Sequence, residues 1–295
     1  MAPIYDSYAP VYDAIGHGRF SAQMAAWALR WLAERSERPA RALDLACGTG
    51  DAALTLAASG CAVVGVDRSA AMLRIARGKA RDAGCAVDLV QGDIRDLAGA
   101  DQRPTGPGER LPEQANESDS SFVIRRSSFI VRRPSFDLAT CFSDSLNYLI
   151  EDGDLARVFA GVAALLRPGG HLIFDVNTEA ELATWDERDA VTYDGRDCLV
   201  YNQLDYDAAT RLATGRIVWF VREIERWWRG EETHVERAWS DGELRVALAG
   251  AGLALVGRLD PQGHTAAADA PRVVYVARRL SPEDVEAAER TTITL

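Results

Sequence analysis

The sequence predicts an α/β protein, a doubly wound and mostly parallel sheet interrupted by a small antiparallel layer. From Arg41 to Phe174, short apolar β-type runs alternate with segments of helical periodicity, the pattern of parallel strands joined by crossover helices. After Asp175 the grammar changes to alternating strands separated by turn residues. From Ser240 onward a helix and two further strands follow, so the sheet is completed only after the excursion.

In chain order, Met24, Trp27, Ala28, Trp31 and Leu32 recur at helical spacing and predict an amphipathic helix packed on the sheet, with the aromatic stripe as core. Strands are expected at Ala42 to Ala46, Ala62 to Val66, Val87 to Val90, Phe136 to Cys141 and His171 to Phe174. One helix runs from Asp51 to Ser59 and ends at Gly60, and a second is capped by Ser69 and reaches Asp82. A third, Leu155 to Leu165, starts behind Asp152 as N-cap and stops before Arg167-Pro168-Gly169-Gly170. Residues Gln102 to Pro134 break the alternation: they hold four of the eleven prolines and a near-duplication, Ser120 to Arg126 followed by Ser127 to Arg133. They read as a mobile insertion. The antiparallel strands are expected at Val191 to Tyr206, Gly215 to Trp228 and Glu231 to Trp239, with turns at Asp207 to Thr210 and Arg229-Gly230. Ser240-Asp241-Gly242-Glu243 matches a capping box opening a helix to Ala249, and Leu253 to Leu259 and Arg272 to Ala277 are the closing strands.

The 295 residues suit two domains or one enlarged α/β domain, and 47% hydrophobic with 26% charged residues can bury a sizeable core. The formal net charge of -11 repels phosphate backbones and anionic membranes, which speaks against nucleic acid and membrane partners. The five cysteines are an odd number, scattered and without a CxxC pair, so neither a disulfide framework nor a thiolate zinc site is indicated. No apolar run reaches the roughly 18 residues of a spanning helix, and the first residues lack the charged and apolar regions of a leader. A cytoplasmic protein in a reducing compartment is expected.

The sharpest motif is Ala42 to Asp51, ALDLACGTGD, a strand running into a glycine turn that opens a helix. Gly48 and Gly50 let the backbone approach a ligand closely. Gly48-x-Gly50-x-x-Ala53 by itself also fits a dinucleotide fingerprint. Asp44, just ahead of the turn, would repel a pyrophosphate and favour an ammonium, directly or through water. Asp67 ends the next strand, 19 positions after Gly48, where its carboxylate can accept both hydroxyl protons of a ribose. Asp93 ends the third strand, and its carboxylate with the Ile94 amide can read an adenine edge. Three strand-end acids without a basic residue in the glycine turn describe a nucleoside bearing an amino acid.

On these residues the chain resembles the class I S-adenosylmethionine-dependent methyltransferases, from Tyr5 to about Arg278. The glycine turn, Asp67, Gly92-Asp93, Phe136-Asp137-Leu138 and Leu165 to Gly170 fall in the family's order. The resemblance implies a Rossmann-like, seven-stranded sheet with a reversed last strand and a cofactor across the carboxyl ends of strands one to four. The antiparallel layer then follows strand five. It further implies cofactor contacts at Asp44, Ala46, Gly48, Gly50, Asp67, Arg68, Met72, Asp93, Ile94 and Cys141, with Cys47 and Cys141 as small lining residues. Residues 1–40 become a cap segment and helix, 41–178 the cofactor-binding core with the insertion at 102–134, 179–239 an acceptor roof, 240–280 the completion of the sheet, and 281–295 a tail.

The acceptor motifs, Tyr5 to Asp13, Ser143 to Tyr148, Phe174 to Thr178 and Glu232 to Arg237, resemble small-molecule methyltransferases that include the sugar N,N-dimethyltransferases. A small-molecule acceptor is therefore expected, an amine or a hydroxyl. Methyl transfer is an in-line displacement in which the protein aligns the partners and excludes water. A proton on the acceptor must still be taken by a group within reach. Asp144 is the first candidate, its alternative a loop N-cap; Tyr12 is the second, its alternative a staple on the core. His234 is the third; it shares a strand face with Glu232 and Glu236, which otherwise reads as a solvated face. No metal is expected, since the triplet lacks a further ligand at defined spacing. The competing readings are a NAD-dependent oxidoreductase and a non-catalytic S-adenosylmethionine-binding module, with the basic Arg125 to Arg133 stretch as its docking element.

Overall fold

The structure, a computed structural model, describes residues 4–101, 136–281 and 284. The proposed insertion at 102–134 and nearly all of the proposed tail at 281–295 lie outside the described residues. Two short-range causes start each strand–helix unit of the main sheet: apolar strands that alternate between the two faces, and turn residues that reverse the chain above them.

The N-terminal helices are α1 (Ala9–Ala14) and α2 (Gly18–Ala33). Then follow β1 (Arg41–Leu45), α3 (Asp51–Ala58), β2 (Ala62–Asp67), α4 (Ala70–Asp82), β3 (Val87–Gln91), β4 (Phe136–Cys141), α5 (Asp154–Leu165) and β5 (Leu166–Asn177). A short α6 (Glu179–Leu182) leads into β6 (Arg188–Asp194), β7 (Cys198–Asp207), β8 (Leu212–Glu223) and β9 (Arg226–Arg237). The chain closes with α7 (Asp241–Gly250), β10 (Leu253–Leu259) and β11 (Arg272–Arg279). Seven strands form one sheet in the order β10-β11-β5-β4-β1-β2-β3, and β6 to β9 form a second, four-stranded sheet. β1 to β5 pair in parallel, whereas β11 runs antiparallel to both β5 and β10. This is the expected doubly wound sheet with its last strand reversed.

The period of two is visible in the core. Ala42, Val63, Leu138 and Ile173 pack with Met24, Trp27, Ala28 and Leu32 of α2 on one face. Their neighbours Leu43, Val64, Ala139 and Leu172 pack with Val158, Phe159 and Val162 of α5 on the other. Trp27 and Met24 are thus core, as the aromatic stripe predicts. Ser69 caps α4, accepting from the Met72 amide, and Ser240 with Glu243 forms the predicted capping box of α7. No helix among the described residues is long and apolar enough to cross a membrane.

Four expectations need correction. Val191 to Tyr206 is two strands, because Asp194-Gly195 opens a turn in which the Gly195 amide donates to the Cys198 carbonyl (2.8 Å). Arg229-Gly230 is not a turn but mid-strand, since Gly230 pairs with Trp219 and makes room for its indole; the reversal lies at Ile224, whose φ is +59°. Asp152 does not cap α5: Gly153, at φ +88°, holds the N-cap position, and Asp152 instead accepts from Arg237 (2.8 Å). The strand expected at His171 to Phe174 extends over Leu166–Asn177, because β4 and β11 flank it and pair along its length.

Candidate functional site

An open cleft lies over the carboxyl ends of β1 to β4, where the glycine turn, Asp67, Asp93 and the loop after β4 converge. The turn reverses through three left-handed residues, Ala46 (φ +50°), Gly48 (φ +53°) and Gly50 (φ +86°). A Cβ on Gly48 would meet nothing within 4 Å, so glycine is required there for conformation; at Gly50 a Cβ would come within 3.0 Å of Ala76. Three amides of the turn are already bonded. Cys47 N donates to the Val66 carbonyl, Gly50 N to Cys47 O, and Gly48 N to Asp67 Oδ2 (2.8 Å). A pyrophosphate would find few donors here, beside two carboxylates.

Ala46, Gly48, Asp67, Arg68, Met72, Asp93 and Ile94 line the cleft, as does Cys47. Asp44, Gly50 and Cys141 do not. Cys141 is fully buried in the core beneath, so its thiol packs with apolar side chains and does not face the cleft. Gly50 acts one residue back, as N-cap of α3.

The three acids differ in state. Asp44 is buried, its Oδ1 accepts from Thr140 Oγ1 (2.7 Å), and its Oδ2 has no hydrogen-bond partner among the described residues. Burial pushes its carboxyl up to about 7, against the pull of the Thr140 bond. Asp67 accepts from the Gly48 amide and from the Ser69 amide (2.8 Å), yet burial still raises it. Asp93 is also partly buried, but Arg95 outweighs that by donating to both of its oxygens (2.9 and 2.6 Å) and holds it below the ordinary carboxylate value. Arg95 lines the cleft and was not marked by the sequence reading.

At the other end, Tyr5, Tyr12 and Tyr148 wall the cleft. Ser143 and Asp144 both adopt left-handed conformations (φ +60° and +50°), and their amides donate to buried Asp175 (2.8 and 3.1 Å). Arg272 bridges Asp175 and Asp144, the latter at 2.9 Å. Burial lifts the Asp175 carboxyl to about 6, with Arg272 opposing it. Asp144 is therefore ion-paired; it also stands at the N-cap position of the turn Ser145–Tyr148, where its carbonyl accepts the Asn147 amide but its side chain makes no capping bond. Tyr12 borders the cleft beside Ser143, and its phenol is raised by burial first and by the Asp144 charge second.

His234 overturns the solvated-face expectation. Sheet two turns that face inward: His234 is 2% exposed and Glu236 3%. His234 Nδ1 lies 2.9 Å from Tyr148 Oη and Nε2 3.2 Å from Glu232. Glu236 accepts from Asn177 Nδ2 (3.2 Å) and is held well above the ordinary value, first by burial and then by Asp144. Arg237, by contrast, points away: it donates to the Ile150 carbonyl, Asp152 and Glu243 and stacks on Trp239. The sequence signal for Tyr148 was the run Ser143 to Tyr148, which names the residue without its partner on a distant strand.

Residues 42–104 match a methyltransferase domain model. Over 181 residues, 61% of this chain, the sequence is 30% identical to a protein described as a methyltransferase, YqeM of Bacillus subtilis (strain 168), and the match covers 58% of that protein. The chain spans about half the length of the curated relatives it matches. In structure it is similar to an S-adenosylmethionine-dependent methyltransferase from Clostridium acetobutylicum ATCC 824, with a TM-score of 0.73 and 26% identity over 95% of this chain and 100% of the other. The sugar N-methyltransferase KedS8 from Streptoalloteichus sp ATCC 53650 shares the fold, with a TM-score of 0.65 and 22% identity over 92% and 93% of the two chains. S-adenosylmethionine is the cofactor that these likenesses indicate.

Proposed function

We propose that this chain, a likeness of the S-adenosylmethionine-dependent methyltransferases in sequence and fold, methylates a small molecule, with an amine as the favoured acceptor. The observation that carries the reading is the single cleft in which the glycine turn, Asp67 and Asp93 stand at one end and three tyrosines at the other. The residues fit the cofactor. Asp67 has acceptor capacity left for ribose hydroxyls, Asp93 and the Ile94 amide suit an adenine edge, and Asp44, which is buried and does not line the cleft, suits an ammonium through a bridging water. Ala46, Gly48, Arg68 and Met72 complete the floor, while Gly50 shapes the turn. When bound, the cofactor supplies an electrophilic methyl group on a sulfonium.

The chain's own residues do the rest. Tyr5 and Tyr12 come from the N-terminal segment, which is fastened over the cleft by Asp6 to Ser69 Oγ (2.6 Å) and Asp13 to Lys79 (3.0 Å). That cover excludes water and aligns the acceptor. The faces of Tyr5, Tyr12 and Tyr148 favour a cationic acceptor over a neutral hydroxyl. Such an acceptor must lose a proton before it can attack. Tyr148 can take it as its own phenolic proton passes to Nδ1 of His234, which ends as the imidazolium beside Glu232, with Tyr12 positioning the acceptor and the Asp144–Arg272 pair setting the local field.

The test has two stages. Calorimetry with S-adenosylhomocysteine and with NAD should give binding for the first alone; binding of NAD instead would overturn the reading. Incubation with methyl-labelled cofactor and fractionated amine-containing metabolites, followed by mass spectrometry, should then give a methylated amine. Products confined to hydroxyl acceptors would overturn the amine assignment.

A further inference from the structure

Arg95 is tied to the nucleobase end of the cleft from several directions. Its Nε donates to Asp93 Oδ1 (2.9 Å), its Nη2 to Asp93 Oδ2 (2.6 Å), and its backbone amide to Oδ1 (2.9 Å). Its Nη1 lies 3.4 Å from Oδ2 of Asp154, the buried first residue of α5, which also lies 3.5 Å from Arg157. Arg95 therefore bridges an acid at the end of β3 and an acid at the start of α5, and its guanidinium borders the cleft itself.

The acceptor count is informative. A carboxylate offers about four lone-pair sites, two on each oxygen. Arg95 fills both on Asp93 Oδ1 and one on Oδ2. One place is left. A bidentate fork with a backbone bond also fixes the plane of the carboxylate, so that place points in one direction.

We propose that Arg95 is a positioning residue that sets nucleobase selectivity: it leaves Asp93 one fixed acceptor, which takes a 6-amino purine and rejects a 6-oxo purine. This rests on the cofactor reading above. A 6-oxo group would set an acceptor against the open place on Oδ2, and a carboxylate free to turn away would tolerate it. Lysine at this position is a point charge that engages one oxygen at a time and cannot hold the plane.

The experiment is calorimetry of the full chain with S-adenosylhomocysteine and S-inosylhomocysteine. The wild type should prefer the adenosyl compound by roughly 5- to 150-fold, the span expected for one mismatched, partly buried acceptor. Arg95→Lys should bring that ratio to about threefold or less while thermal unfolding shows a folded chain. Asp154→Asn, which loosens only the outer tether, should give a smaller fall in the ratio and guards against a misfolded Arg95 variant. Equal weakening of both ligands in Arg95→Lys, with the ratio kept, would overturn the proposal and mark Arg95 as structural. So would a wild type that does not discriminate. Failure of the wild type to bind either compound would instead strike the cofactor reading, and the proposal with it.

Discussion

Tyr148 Oη lies 2.9 Å from Nδ1 of His234, and this contact joins the loop after β4 to the second sheet at the wall of the cleft. It is one side of a closed circuit. Tyr148 also meets Tyr5 Oη (2.7 Å), His234 Nε2 meets Glu232 Oε2 (3.2 Å), and that oxygen accepts the Tyr5 amide (2.7 Å). The other oxygen of Glu232 takes the amides of Ser7 and Tyr8 and the Ser7 hydroxyl. Burial alone would raise the Glu232 carboxyl, yet His234 and these donors bring it down to about 2. A proton leaving the cleft through Tyr148 thus meets an imidazole already backed by an anion.

Tyr148→Phe removes two bonds of the circuit and leaves a buried imidazole nitrogen unpaired. A loss of about 1 to 3 kcal/mol in unfolding free energy is expected, read by denaturant titration. S-adenosylhomocysteine affinity should stay within about threefold of wild type, because the circuit stands at the opposite end from Asp67 and Asp93. A drop in that affinity comparable to the one expected for Asp67 variants would place Tyr148 in the cofactor subsite.

Asp67 has a double duty that its position at a strand end does not disclose. Besides facing the cleft, it accepts the amides of Gly48 and Ser69. Asp67→Ala should therefore lower cofactor-analogue affinity by roughly 10- to 150-fold and also cost about 1 to 3 kcal/mol of stability through the orphaned amides. Calorimetry and thermal unfolding separate the two effects. Unchanged affinity would remove Asp67 from the site.

The parallel core was legible because its causes are local: apolar strands of five or six residues, the Ser69 cap, and the glycine turn. The antiparallel layer was only half legible. Alternation marks strands but not where one ends, so Asp194-Gly195 passed as interior and Gly230 passed as a turn, although the Trp219 ring that needs Gly230 sits on the neighbouring strand. On the floor of the cleft, Asp67 and Asp93 were legible from strand ends, whereas Asp44, Gly50 and Cys141 do not line it. The wall was not legible, because Tyr148 meets His234, and Tyr5 meets Tyr148, only when segments 86 and more positions apart come together. Arg95 was missed for a different reason: an arginine two residues from an acid looks like any surface pair until both lie in one cleft.

Gly230→Ala tests the packing on that second sheet. The added Cβ would stand 2.3 Å from Trp219 ring carbons, and the ring is held by Tyr8 and Val200 in the same buried cluster. Overpacking of this kind costs about 1 to 3 kcal/mol, so the denaturation midpoint should fall with little change in the slope of the transition. A midpoint equal to wild type would mean that the indole has another place to go.

The last expectation concerns Asp44 and pH. Its folded value of about 7 stands above the ordinary 3.8, so the protein carries the full benefit of the protonated acid below about pH 4 and loses it as pH rises through 7. At 1.36 kcal/mol per unit that loss is on the order of 4 kcal/mol, and Asp44→Asn should remove it, raising stability at pH 8 relative to wild type while leaving pH 4 little changed. Asp175, lifted to about 6, contributes in the same direction and stays in both proteins, so the difference between them isolates Asp44. A bound ammonium reverses the balance, because it favours the ionised acid. S-adenosylhomocysteine affinity should then climb with pH from about 4 to 7, by up to tenfold per unit, and level off above; in Asp44→Asn the climb should flatten. Affinity that rises equally in the variant would assign the slope to another group and leave Asp44 as a buried strut between β1 and β4.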